Sequence, residues 1–163
     1  MKPEYEVIDN FLEEEDFYNI QSIMMSSALP WFYTSRVNSA TQIGDSYYFV
    51  LLFQIDGIPS SPFIERLAPL IKKLGCESII RIKGNLYPNI GKEYVDGWHI
   101  DYPVKHKGAI LYINNNNGCT ILEDGTRIES VANRVLLFDP SKPHDSSYPT
   151  DAKIRVNINM NFK

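Results

Sequence analysis

Residues 76–163 form a succession of short β-branched and aromatic runs parted by turn clusters, which constrains the fold more than any other feature. The runs are CESIIRIKGNLY, KGAILYIN, GCTILED, TRIESV, NRVLLFDP and AKIRVNINMNF. Many short, evenly spaced strands point to a sandwich or barrel rather than a βαβ fold. INNNNGC predicts an asparagine–glycine turn in left-handed backbone joining two strands, and EDGT predicts a hairpin. The reading is mainly β with α: a double-stranded β-helix (jelly roll) with helices packed on one face.

Helical signals dominate upstream. In LEEEDFYNIQSIMMSS, Phe17, Ile20 and Met24 recur at helical spacing with Ile23 and Met25 beside them, and acids fill the first turn, where the helix dipole favours them. Met24 and Met25 read as core packing, and EEED as the acidic face of the helix start. SPFIERLAPLIKKLG predicts a second helix with Ser61 as N-cap, Pro62 at its first position and Gly75 as its stop. Pro69 falls inside it and predicts a kink or split, because an interior proline costs about 3 kcal/mol. WFYTSRVN and SYYFVLLFQI, between the helices, read as strands. The 163 residues are one domain's worth, with 1–75 as helical and strand support and 76–163 as the jelly-roll core.

A net charge of −4 gives no global positive field for nucleic acid or anionic lipid. The N-terminus lacks the apolar core of a signal peptide and no run reaches membrane-span length, so a cytoplasmic protein is expected. Cys76 and Cys119 are too few for a disulfide framework and fit reduced thiols.

Within the β-rich half, GWHIDYP sets His99 and Asp101 two apart. On an extended strand these two share a face, and Trp98 and Ile100 take the other. The pair offers two metal ligands, or a polar break in a surface strand; so short a pattern does not choose. Of the chain's three histidines, His144 follows the strand NRVLLF, where a turn sets it at a barrel rim; its other reading is a loop histidine paired with Asp145. His106, in VKHKG, reads as a solvated hairpin residue. Two imidazoles and one carboxylate form the facial triad that leaves positions open on non-haem Fe(II).

DAKIRVNINMNFK puts Lys153, Arg155, Asn157 and Asn159 on one face and Ile154, Val156, Ile158 and Met160 on the other. Either the apolar face turns inward, or helices cover it and the polar face lines the barrel around a polar ligand. In the second case the fixed fork of Arg155 matches a carboxylate. Both orientations satisfy the pattern.

The order H-x-D, a histidine 45 residues after the first, then an arginine 11 residues on resembles the Fe(II)/2-oxoglutarate-dependent dioxygenases. The resemblance covers residues 76–163 and is to the prolyl-4-hydroxylase-like branch, including its small phage and bacterial members. NLYPN, LYIN with the glycine turn and Thr120 after it, and RVLLFDPSKPHDSSYP carry it. It implies that His99, Asp101 and His144 hold Fe(II) and that Arg155 pairs with the distal carboxylate of the cosubstrate 2-oxoglutarate. It further implies O2 as co-reactant, with release of succinate and CO2. Tyr87 matches a tyrosine that reaches the cosubstrate in relatives, with a core tyrosine as its other reading. Tyr112 and Asn159 are further candidates for that pocket. The chain departs from the pattern at Arg155, where collagen-type relatives use lysine, and at Leu111, aligned to a tyrosine of several protein-hydroxylating relatives. Asp101 sets it apart from the halogenase variant, which lacks the carboxylate.

The implied reaction is hydroxylation of an unactivated C–H bond in a peptidyl prolyl or small amino-acid-like substrate. The implied partner is a peptide or small molecule, and no membrane partner is expected. The superfamily also admits nucleic-acid substrates, but the acidic balance of this chain gives that reading no support. YPNIGKEYVDGW, before His99, is the candidate substrate loop. Tyr94, Trp98 and Tyr102 are candidate contacts, or aromatics tucked against the sheet. Asp145 is a candidate to orient the His144 ring. Two other classes stay open: a cupin-like metal enzyme without 2-oxoglutarate, and a non-catalytic jelly-roll module binding sugar or protein.

Overall fold

The computed structural model describes residues 4–35 and 47–163. The β-branched runs pair into two antiparallel sheets. The larger holds β1 (Glu6–Ile8), β2 (Phe32–Thr34), β3 (Tyr48–Ile55), β4 (Ile58–Pro59), β5 (Ile79–Pro88), β6 (Lys107–Tyr112), β9 (Val135–Phe138) and β11 (Ile154–Phe162). Its order is β1-β9-β6-β11-β5-β3-β2, with β4 paired to β3. The smaller sheet holds β7 (Asn116–Leu122), β8 (Arg127–Ser130) and β10 (His144–Ser146), in the order β10-β7-β8. Bridges Val95–Ser147 and His99–His144 extend it past β10. The chain changes sheet after β6, β8, β9 and β10, which is the winding of a jelly roll.

Two helices cover the outer face of the large sheet. Phe17, Ile20 and Met24 of α1 (Glu14–Met24) meet Val156, Ile158, Met160 and Phe162 of β11 in the main core. Ser61 Oγ accepts from the Phe63 N–H to start a 3₁₀ helix, Pro62–Leu67, and α2 (Ala68–Leu74) follows. Pro69 thus splits the second helix at a point where its missing N–H is not needed. Gly75 ends α2 with φ 62°. No helix among the described residues is long and apolar enough to cross a membrane.

The structure corrects three expectations. Met25 is 41% exposed, because the residue after Met24 lies about 100° round the helix from the buried stripe. INNNNGC is not a hairpin: β6 and β7 lie in different sheets, and neither Asn117 nor Gly118 takes left-handed backbone. Gly118 is selected for close approach instead, since a Cβ there would sit 2.7 Å from Cδ of Arg155. His106 is buried, not solvated. EDGT does form the β7–β8 hairpin, with Gly125 at φ 84°. The short strands β1, β4 and β10 carried no sequence signal of their own. The last residues of WFYTSRVN, from 36 on, and the first of SYYFVLLFQI lie outside the described residues.

Candidate metal and carboxylate site

Both faces of β11 are buried. Its apolar side packs under the helices, while Arg155, Asn157, Asn159 and Asn161 point into the barrel. Register sets these opposite Tyr87, Asn85, Lys83 and Arg81 of β5. A polar ladder thus lines the interior, tolerable only where partners or a polar ligand meet it.

His99 and His144 face each other in a bridge whose backbones exchange two hydrogen bonds, of 3.0 and 2.9 Å. Asp101 follows on the same extended segment, its N–H donating to the Pro140 carbonyl at 2.9 Å. One ligand atom from each of His99, Asp101 and His144 lies within 4.8 Å of the others, and no other such cluster occurs among the described residues. His144 Nδ1 donates to the Lys142 carbonyl at 3.0 Å, and His99 Nδ1 lies 3.4 Å from that of Gly97. Each ring thereby turns Nε2 toward the cluster, and His144 Nε2 is buried without a partner. Such an orphaned donor atom suits a metal ion. Asp145 does not orient His144; its carboxylate accepts from the N–H groups of Gly97 and Ser146.

Asp101 is held from two sides. Oδ1 accepts from Arg81 Nη2 at 2.8 Å, and Oδ2 from Asn161 at 2.9 Å and Asn159 at 3.2 Å. Burial opposes its ionisation, yet Arg81 and the Asn161 hydrogen bond hold the carboxyl well below the usual carboxylate range. Burial, with His144 beside it, pulls the His99 imidazole down to about 4. A carboxylate and an unprotonated imidazole at neutral pH are the forms a metal needs. Asn161 also donates to His106 Nε2 at 3.1 Å, while His106 Nδ1 donates to Val104 at 2.7 Å.

Arg155 is wholly buried. Its Nε donates to Ser130 Oγ at 2.8 Å and its Nη2 to Thr120 Oγ1 at 3.1 Å, while Nη1 has no partner. No carboxylate among the described residues pairs with it. The guanidinium carbon lies 5.1 Å from the Tyr87 ring centroid and 5.7 Å from that of Tyr112. A buried cation satisfied only by hydroxyls and ring faces has room in its hydrogen bonding for an anion. Leu111 belongs to the helix-side core, so on β6 it is Tyr112 that faces Arg155.

Sequence comparison finds no match, neither a family model nor a curated protein. Structural comparison does. A prolyl-4-hydroxylase from Pseudomonas putida superposes with TM-score 0.66 at 15% identity, over 98% of this chain and 92% of its own. A 2OG-Fe(II) oxygenase family protein from Burkholderia pseudomallei gives 0.69 at 11%, over 99% and 86%. A Trichoplax adhaerens prolyl hydroxylase, solved with a peptide of hypoxia inducible factor, gives 0.70 at 14%, over 99% and 84%. The fold is that of the 2OG-Fe(II) oxygenases, prolyl hydroxylases among them.

In this oxygenase fold the triad opens on a cavity of about 150 Å³ whose walls include Lys83, Asn85, Tyr87, Ser146 and Asn157. Arg155 does not line the cavity, but its register partner Tyr87 does. The aromatic candidates stand outside it. Tyr94 packs edge-on to Tyr148 at 5.6 Å, Trp98 is half-exposed, and Tyr102 lies over Arg81 at 5.2 Å. Sequence reading missed Arg81, Asn161 and Ser130 as holders of the site, and it singled out Thr120 without a role. Only the alternation of β5 could have pointed to Arg81, two residues before Lys83 on the same face.

Proposed function

We propose that the chain is an Fe(II)- and 2-oxoglutarate-dependent dioxygenase that hydroxylates an unactivated C–H bond. The substrate class is a peptidyl prolyl or small amino-acid-like molecule, and the whole of 1–163 acts as one oxygenase domain in the cytoplasm. The observation that supports this best is one barrel holding both the His99–Asp101–His144 cluster and a buried Arg155 that lacks a carboxylate. A cupin-like metal enzyme has no use for the second feature.

His99, Asp101 and His144 are the residues to hold the iron. With 2-oxoglutarate and O2, bound iron supplies the oxidising power that turns R–H into R–OH, giving succinate and CO2. The carbonyls of Gly97 and Lys142 orient the two imidazoles. Arg81, Asn159 and Asn161 keep Asp101 ionised and fixed. Arg155 receives the distal carboxylate through its free Nη1, with Tyr87 and Tyr112 bounding that end. Ser130 and Thr120 hold the guanidinium fork in place ahead of the carboxylate's arrival.

The test is succinate formation from 2-oxoglutarate by the purified chain with Fe(II) and O2, beside a His144→Ala variant. Succinate from the wild type and none from the variant is expected. Equal background from both would refute the assignment.

A further inference from the structure

Lys83 sits on the barrel-facing side of β5 and lines the cavity at the triad. It is half-buried, and its ammonium forms no ion pair among the described residues. The Tyr48 ring lies 5.9 Å away. The other cation on that wall, Arg81, is matched to Asp101. An ammonium that faces a polar cavity with no carboxylate bonded to it is a ready partner for an anionic ligand.

The register tells which ligand. Lys83 pairs with Asn159, whose amide holds Asp101, whereas Arg155 pairs with Tyr87 four residues along β5. The two cations are therefore about 13 Å of strand apart. A 2-oxoglutarate molecule has two carboxylates, one for Arg155 and one for the metal. None is left for Lys83.

We infer that Lys83 receives a carboxylate of the primary substrate, which makes that substrate a small carboxylic acid of the free amino-acid kind rather than a neutral internal residue of a peptide. This rests on the dioxygenase reading and narrows its substrate class. Ile100, which lines the cavity and is 42% exposed, offers the apolar contact for the body of such a molecule.

The experiment is calorimetry on the full chain loaded with redox-silent Zn(II) and 2-oxoglutarate, titrated with free L-amino acids and their carboxamides in matched pairs. At least one free acid is expected to bind with its amide about 10-fold weaker or worse, a difference of roughly 1.4 kcal/mol. Lys83→Met should abolish that preference while binding 2-oxoglutarate as the wild type does, and Lys83→Arg should restore it. Acids and amides binding alike, or none binding to a complex that has taken up 2-oxoglutarate, would overturn the inference and leave the dioxygenase reading standing. Loss of 2-oxoglutarate binding in Lys83→Met would also overturn it, by making Lys83 a cosubstrate ligand. If the metal-loaded wild type takes up no 2-oxoglutarate, both fall.

Discussion

The guanidinium carbon of Arg155 lies 5.1 Å from the ring of Tyr87, its register partner on β5, and this pair bounds the end of the barrel away from Asp101. Hydrogen bonds to a charged partner contribute about 1.5–3 kcal/mol. Arg155→Met is therefore expected to raise the 2-oxoglutarate needed for half-saturation by roughly 10- to 100-fold. Metal affinity should stay unchanged. Arg155→Lys should recover only part of the loss, since a point charge lacks the fork. Titration of the metal-loaded variants with 2-oxoglutarate reads all three outcomes.

Arg81 holds the other end of the site through Asp101 Oδ1. Arg81→Met is expected to weaken metal binding about 10- to 100-fold, the usual effect of removing a group that orients a ligand. Competition with a chelating dye measures it, and an unchanged affinity would deny Arg81 this part.

Gly118→Ala tests the packing beneath Arg155. The added carbon would meet Arg155 Cδ at 2.7 Å and the Ser147 carbonyl oxygen at 3.0 Å. A loss of about 1–3 kcal/mol in unfolding free energy is expected from overpacking, together with weaker 2-oxoglutarate binding as the guanidinium shifts. Denaturant melts and the same titration would show both.

Burial, and Asp145 beside it, push the Asp96 carboxyl up to about 7. A raised folded value means that this group stabilises the fold below the ordinary carboxylate range, and the contribution is lost as pH climbs through about 7. Asp96→Asn removes that loss. In metal-free protein the variant should gain on the wild type by about 1 kcal/mol between pH 5 and pH 8, discounting for the water that reaches the group. A difference flat with pH would contradict the assignment.

Much of the fold and the site is legible in the chain itself. The period-2 runs mark the strands, and Ser61, Pro69 and Gly75 mark the ends and the split of the second helix. The spacing of His99, Asp101, His144 and Arg155 picks out four groups that the fold gathers round one barrel interior. What escapes a reading of the sequence is long-range by nature. Arg81 and Asn161 meet only through the β5–β11 register, across a separation no local pattern records. The inward face of β11 is undecidable from its alternation because both faces are buried, one under helices and one around the site. Gly118 looks like a turn because glycine serves tight turns and close approaches with the same letter.

Anaerobic titration of the metal-free protein with Fe(II) and then 2-oxoglutarate, followed by visible absorption, bears most directly on the site. A metal-to-ligand charge-transfer band that needs both additions, vanishes in His99→Ala and demands far more 2-oxoglutarate in Arg155→Met is the expected result. Iron that binds without ever producing the band, however much 2-oxoglutarate is added, would contradict it.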